Sequence, residues 1–170
     1  DADPSTIIKH NTFYNNRVPL SIDCQKSIDN SNVFSNSNDP SQTNTYNGIF
    51  VHGQDIITNN YKWEETEVAY VIQYESLEIW DDYSLTLGNN VVLKFFTDAK
   101  LDVQLNAELI NGQGVGVFFT TFTDDNHKGD TNGDGNATSP LAEEWLGIYN
   151  NQAENYFYTW SNILYSKNDF

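Results

Sequence analysis

The sequence predicts an all-β protein built as a parallel β-solenoid, and three features of the chain lead to that prediction. Aromatic residues make up 14% of the 170 residues, Asn and Thr are abundant, and the helix formers Ala, Lys and Arg are scarce. Short apolar runs recur at intervals of roughly 21 to 31 residues. A motif bounded by Asn is repeated near the start of the chain. Stacked turns joined by loops of variable length would produce all three features.

The repeated motif runs from Asn11 to Asn15 as N-T-F-Y-N and returns from Asn32 to Asn36 as N-V-F-S-N. Asn tolerates the left-handed backbone of a tight corner, and its side chain can bond to the equivalent residue of the next turn. We therefore expect corners at the Asn-Asn pairs as well, which are residues 15–16, 59–60, 89–90 and 150–151.

Six apolar runs are the expected strands, at residues 20–22, 49–51, 69–72, 91–95, 115–120 and 146–149. Residues 6–9 and 160–165 also read as strands, so both ends fall within a turn, and we expect a segment excised from a longer protein. Residues 1–170 then form a single domain, interrupted by a polar excursion at 35–47 and an acidic loop at 123–142. The alternative is an antiparallel β-sandwich, in which the Asn pairs are ordinary turn residues.

The charge balance narrows the classes of partner. Eight Lys and Arg residues against 24 Asp and Glu residues give a formal net charge of -16. Nucleic acid is therefore not expected as a partner, because binding a polyanion requires clustered cations. No apolar run approaches the ~20 residues that a membrane span needs, so we expect no membrane insertion. Cys24 is the single cysteine and is expected to be a small buried apolar residue.

The acidic loop contains a calcium-type pattern. Asp130, Asn132 and Asp134 place side-chain oxygens at alternate positions, and Gly135 permits the sharp turn that such a loop makes around a hard cation. An EF-hand would place a Glu at the twelfth position, which here is Leu141. We predict bound Ca²⁺, with the backbone carbonyl of Asn136 and a carboxylate of Asp124, Asp125, Glu143 or Glu144 as the further ligands.

The block from residue 119 to 149 resembles a known family. Its matching parts are Phe119 and Thr120, the Asp124-Asp125 pair, residues 129–135, Trp145, and Gly147 with Ile148. They are similar to right-handed parallel β-helix segments of large secreted or surface-attached bacterial proteins, which share the pectate-lyase-like architecture. The sequence departs from the family pattern at Thr121, Lys128 and the pair Glu143-Glu144.

The resemblance implies a right-handed parallel β-helix with a long calcium-type loop, located outside the cell or on its surface. It also implies a non-catalytic structural or adhesive segment. Its expected partners are carbohydrate, another surface protein, or neighbouring domains of the same parent chain. The same architecture carries enzymes too, so part of a carbohydrate-active enzyme (a polysaccharide lyase or hydrolase) and a carbohydrate-binding module remain alternatives.

The residues that such an enzyme would need have simpler interpretations. A lyase needs a Lys or Arg base beside carboxylate-bound calcium, but we expect Lys94 to be an outward charge or a corner contact. Adjacent acids on a strand point to opposite faces, so the acid pairs at 64–65, 81–82, 124–125 and 143–144 are expected to be solvated edge charges. Core or corner packing is expected for the four tryptophans, which are Trp63, Trp80, Trp145 and Trp160.

Overall fold

A computed structural model describes residues 6–52, 55–152 and 156–167, and it is an all-β structure in which those residues form no helix. The strands are short, two to four residues each. They are β1 Leu20–Ile22, β2 Gly48–Val51, β3 Ile56–Ile57, β4 Tyr61–Trp63, β5 Ala69–Ile72, β6 Ser76–Ile79, β7 Ser84–Leu87, β8 Val92–Phe95, β9 Lys100–Val103, β10 Glu108–Ile110, β11 Phe118–Thr121, β12 Gly147–Asn150 and β13 Tyr156–Phe157.

The strands form three sheets. Sheet 1 has the order β1-β2-β5-β8-β11, sheet 2 the order β3-β6-β9-β12-β13, and sheet 3 the order β4-β7-β10. Neighbouring strands pair in parallel except β12 and β13, which pair antiparallel. The chain thus passes repeatedly from sheet 1 to sheet 2 to sheet 3, for about three turns. The predicted parallel β-solenoid is confirmed, and the pairing excludes the antiparallel β-sandwich.

The repeated Asn motif marks equivalent positions in adjacent turns. Thr12 and Val33 form a parallel bridge. Beside this bridge, the Asn11 side-chain amide donates a hydrogen bond to Asn32 Oδ1 at 3.0 Å. The motif phenylalanines, Phe13 and Phe34, stack with ring centroids 5.2 Å apart. The same chemistry recurs at the Asn pairs, where Asn15 and Asn90 adopt positive φ and the Asn111 amide donates to Asn89 Oδ1.

Three of the expected strand positions are corrected by the structure. The strand expected over 115–120 starts only at Phe118, because Val115 is 76% exposed and Gly116 turns the chain with a φ of 69°. Residues 6–9 form no strand, and within 160–165 the pairing is limited to an isolated bridge at Ile163. Strand 69–72 agrees residue for residue with β5.

The core lies inside the solenoid, where apolar side chains of successive turns stack. Trp63 packs flat on Tyr70 with centroids 4.6 Å apart, and Phe95 packs on Trp145 at 4.0 Å. Cys24 is fully buried in the same core, as the sequence predicts. Burying a large apolar side chain stabilises a fold by about 1.5–3 kcal/mol, so these stacks contribute strongly. Trp80 follows β6 directly and is 46% exposed, so it lies outside the core.

The acidic loop lies over the outer face of sheet 1. It leaves β11, and the chain returns to the solenoid at β12. A Cβ placed on Gly48 would lie 3.0 Å from Thr131 Cγ2, and one on Gly133 would lie 2.6 Å from the Thr45 carbonyl oxygen. Lys128 Nζ donates to the Thr66 carbonyl at 2.5 Å. As a result every residue of β2, β5 and β8 is buried, on both faces of the sheet.

Candidate metal centre

Asp130 organises the turn of the acidic loop. Its Oδ1 accepts hydrogen bonds from the backbone N–H of Gly133 (2.7 Å) and of Asp134 (3.1 Å), and its Oδ2 accepts from Gly135 N–H (2.8 Å). Gly133 and Gly135 have φ values of 71° and 64°, a region that glycine enters without steric cost. The D-x-N-x-D-G spacing therefore folds into a tight turn around the Asp130 carboxylate.

Asp134 closes the second half of this turn. Its Oδ1 accepts from Ala137 N–H at 2.8 Å, and its Oδ2 accepts from Thr138 N–H at 3.1 Å and from the Asn132 amide at 3.0 Å. The hydrogen bond from the Thr138 hydroxyl is the main reason that the pKa of Asp134 lies below its usual value. Asp134 is therefore held as an ionised carboxylate.

Asp125 approaches these two aspartates from the start of the loop. One carboxylate oxygen from each of Asp125, Asp130 and Asp134 lies within 4.8 Å of the others. Asp125 Oδ1 is buried and has no hydrogen-bond partner among the described residues. Burial first, and then the charge of Asp130, raise the pKa of Asp125. A cation bound between these oxygens would offset the burial of the Asp125 carboxylate and would relieve the repulsion among the three carboxylates.

The chemistry of this acidic cluster (Asp125, Asp130 and Asp134) fits a hard divalent cation. Ca²⁺ takes six to eight oxygen ligands in a flexible arrangement, and carboxylates are its usual protein ligands. Asn132 lies in the same turn, where its Oδ1 accepts from Asp134 N–H at 3.2 Å. Asn136 follows in a left-handed conformation with a φ of 70° and is exposed. The loop thus gathers three carboxylates within one turn and its entry.

The remaining predicted ligands lie outside this cluster of three carboxylates. The Asp124 side chain is fully buried, and its Oδ2 accepts from Thr120 Oγ1 at 2.7 Å while pairing with His127 Nδ1 at 2.6 Å. Burial opposes its ionisation, but the bonds from Thr120 and His127 outweigh burial and lower its pKa. Glu144 Oε2 accepts from Thr123 Oγ1 and from Leu141 N–H.

Glu143 is exposed, with a φ of 61°. The interpretation of the acid pairs as solvated charges is therefore right for Glu143 and wrong for two other members. Asp124 is buried at the entry of the loop, and Glu65 is 1% exposed and accepts from the N–H groups of Thr66 and Glu67. Asp124 is held by the Thr120 and His127 side chains and by the Asn126 N–H, whereas Glu65 Oε2 is buried without a hydrogen-bond partner among the described residues.

Lys94 faces outward, as the sequence predicts, but its burial beneath the acidic loop was not predicted. It points away from Leu93 and Phe95, which belong to the core, so it does face outward from the solenoid. The loop covers it completely, and Nζ donates to the Gly129 carbonyl at 2.8 Å and to Thr131 Oγ1 at 2.7 Å. Burial lowers its pKa to about 8, although nearby aspartates of the loop favour the charged form.

The sequence contains a signal for the burial of Lys94 beneath the loop. Residues 92–95 read V-L-K-F, an apolar strand without the alternation expected of a solvated face, so the lysine within it had to be covered. The loop that covers it is the acidic one.

Comparison of the chain with family models, with curated protein sequences and with solved structures gave no significant match. The described residues include no helix with the length and apolar character that crossing a membrane requires.

Proposed function

We propose that this chain is a calcium-stabilised, non-catalytic structural or adhesive segment of an extracellular bacterial surface protein. In this proposal the solenoid has the right-handed, pectate-lyase-like β-helix architecture that the sequence resembles. The observation that carries it is the acidic cluster, where Asp125, Asp130 and Asp134 each bring a carboxylate oxygen within 4.8 Å of the others and Asp125 also has a buried Oδ1 without a described partner. The cluster sits in the loop that covers sheet 1, so a cation bound there would stabilise the covered face.

Calcium would act here as a clamp rather than as a reagent. Asp125 lies at the entry of the loop, whereas Asp130 and Asp134 lie in its central turn. A shared cation would link these two parts and hold the loop against the sheet. Extracellular calcium modules commonly bind with Kd values of ~10⁻⁴ to 10⁻³ M, which suits the millimolar calcium outside cells. An acidic surface with a net charge of -16 favours cations further.

Thermal unfolding in calcium and in EDTA tests this proposal. A ligand that binds only the folded state at about 100 Kd stabilises it by roughly 2.7 kcal/mol. Asp134→Ala and Asp125→Asn should each remove most of that gain, while Glu108→Gln, an exposed carboxylate of β10, should retain it. Magnesium should substitute poorly, because it resists dehydration and demands an octahedral shell. A melting temperature indifferent to both EDTA and millimolar calcium would contradict the proposal.

A second candidate function, as part of a polysaccharide lyase, draws support from Lys94. An amine with a pKa of about 8 close to an acidic cluster has the properties of a general base. Against this, Nζ is fully buried and bonded to Gly129 and Thr131, where no polymer reaches it while the loop is closed. Calcium-dependent cleavage of polygalacturonate or alginate, lost in Lys94→Met, would replace the structural function with the enzymatic one.

A further inference from the structure

An aromatic groove runs along the corner between sheet 1 and sheet 2. Tyr74, Phe96 and Phe122 follow β5, β8 and β11, so they occupy the same corner in three successive turns. The Tyr74 and Phe96 rings lie 5.2 Å apart, and those of Phe96 and Phe122 lie 4.5 Å apart. Together with Tyr46 and Phe50 they line a cavity of about 450 Å³. A second cavity, of about 230 Å³, shares the three corner rings.

Polar groups surround these rings. Arg17 and Gln73 line the larger cavity, while Thr97, Thr123 and Glu144 line the smaller one. Arg17 lies 5.7 Å from the centre of the Tyr46 ring. Thr121 also lines the smaller cavity, and its hydroxyl is buried without a hydrogen-bond partner among the described residues. The groove therefore combines an aromatic floor with hydroxyl, amide, carboxylate and guanidinium groups.

We infer that the aromatic groove binds an uncharged oligosaccharide. A pyranose ring has apolar C–H faces that stack on aromatic rings and a rim of hydroxyl groups that exchange hydrogen bonds with polar side chains. The groove offers both in the matching arrangement, and Tyr74, 64% exposed, presents its ring to solvent. Successive turns are spaced by the ~4.8 Å between paired strands, so the aromatic surface repeats along a linear direction that suits a chain of sugars.

Charge selects against acidic glycans. The net charge is -16, and Glu144 lies at the groove, whereas Arg17 is the one cation among the described lining residues. A polyuronate would meet repulsion without the cation cluster needed to offset it. A purely apolar helix would fit the floor but would leave the polar groups of the rim without partners. The groove is independent of the calcium proposal, because none of its lining residues belongs to the acidic cluster.

Isothermal titration calorimetry of the full chain in millimolar calcium tests this inference. The probes are cellohexaose, xylohexaose, mannohexaose and chitohexaose, with hexagalacturonate as the charged comparison. At least one neutral hexaose should bind, and more tightly than hexagalacturonate does. Loss of one stacking ring should weaken binding about fivefold or more. The test variant is Tyr74→Ala, and the matched control is Tyr156→Ala, because Tyr156 lies on β13 and is 61% exposed.

Binding that is weakened by Tyr74→Ala and unchanged by Tyr156→Ala supports the inference. Tyr74→Phe should bind nearly as well as the parent chain, because the ring and not the hydroxyl provides the stacking surface. Three results overturn the inference: no neutral hexaose binds at millimolar concentration, hexagalacturonate binds best, or binding survives Tyr74→Ala intact. Unfolding of each variant is measured alongside, and the exposure of Tyr74 makes a folding defect unexpected.

Discussion

Sheet 1 and sheet 3 belong to the same solenoid, yet they bury their residues in different ways. All four residues of β5 and of β8 in sheet 1 are buried. In β7 of sheet 3, buried Leu85 and Leu87 alternate with half-buried Ser84 and Thr86. The difference arises from the acidic loop, which covers the outer face of sheet 1 in the manner of a second layer. Sheet 1 therefore has two packed faces, and the second one depends on how firmly the loop is held.

This difference between the two sheets is visible in the sequence. A strand buried on both faces reads as a continuous apolar run, whereas a strand with one solvated face alternates. Residues 69–72 read A-Y-V-I, while residues 84–87 read S-L-T-L. The loop is thus matched by apolar residues on the outer face of the sheet beneath it, with Lys94 as the charged exception.

The largest difference between the two sheets is expected when the outward-facing lysines, Lys94 of sheet 1 and Lys62 of sheet 3, are replaced one at a time. Lys94→Ala should lower the free energy of unfolding by about 3 kcal/mol, because it leaves the Gly129 carbonyl and Thr131 hydroxyl without their charged donor and creates a cavity. Lys62→Ala is the matched change on sheet 3. It removes an exposed pair with Glu64 and should cost less than about 0.5 kcal/mol. Urea unfolding of both variants measures the difference.

Equal effects of the two lysine substitutions would contradict the account of a second packed layer. The denaturant slope should stay unchanged in both variants, because neither substitution alters the surface that unfolding exposes.

Hydrogen exchange measured in calcium and in EDTA compares the acidic loop over sheet 1 with the strands of sheet 3. If calcium at about 100 Kd holds the loop, its removal should accelerate exchange in residues 123–142 by up to about a hundredfold. Amides of β7 and β10 in sheet 3 that exchange through local fluctuations should keep their rates, because the acidic cluster lies in the loop over sheet 1. Mass spectrometry of proteolytic fragments resolves the two regions. Equal acceleration of locally exchanging amides in the loop and in sheet 3 would mean that calcium does not act through the loop.

A smaller effect is expected where the loop passes over Gly48. An added Cβ would lie 3.0 Å from both Thr131 Cγ2 and Val71 Cγ2, so Gly48→Ala should cost about 1–2 kcal/mol. Thr131→Ser removes the Cγ2 methyl and keeps the hydroxyl that Lys94 contacts. In that background the cost of Gly48→Ala should fall by roughly half, since the Val71 contact remains. A double-mutant cycle by chemical denaturation checks the coupling, and strict additivity would place the loop farther from Gly48.

The strands of sheet 1 are easier to predict from the sequence than those of sheets 2 and 3. Five of the six expected strands correspond to strands of sheet 1, and three of these, β2, β5 and β8, are buried on both faces and so read as continuous apolar runs. Most strands of sheets 2 and 3 are very short or alternate between buried and more exposed residues. The sequence pattern therefore does not distinguish them from the neighbouring corners. The Asn11 and Asn32 motif was recognisable because the contact it makes joins like residues in adjacent turns.

The candidate site was predictable only in its local part. Asp130 and Asp134 can be recognised as candidate ligands because their spacing lies within one hexapeptide. Asp125 joins them, whereas the adjacent Asp124 bonds to Thr120 and His127. This difference depends on the direction in which the chain turns after β11. The contact between Lys94 and Thr131 spans 37 residues and is set by where the loop lies, which no spacing rule records.

The smallest expected effect concerns an exposed ion pair, the counterpart of the buried Lys94. Lys9 Nζ lies 2.8 Å from Asp29 Oδ2, and the hydrogen bond from Lys9 lowers the pKa of Asp29 to about 2. A depressed carboxylate pKa contributes stability that is present above the unfolded value near 4 and is lost as pH falls toward 2. Both partners are solvated, so the contribution to stability should be small. Asp29→Asn should therefore flatten the stability profile slightly between pH 4 and pH 2 and leave it unchanged in shape above pH 5. A profile of equal steepness in the variant would assign that part of the acid dependence to other carboxylates.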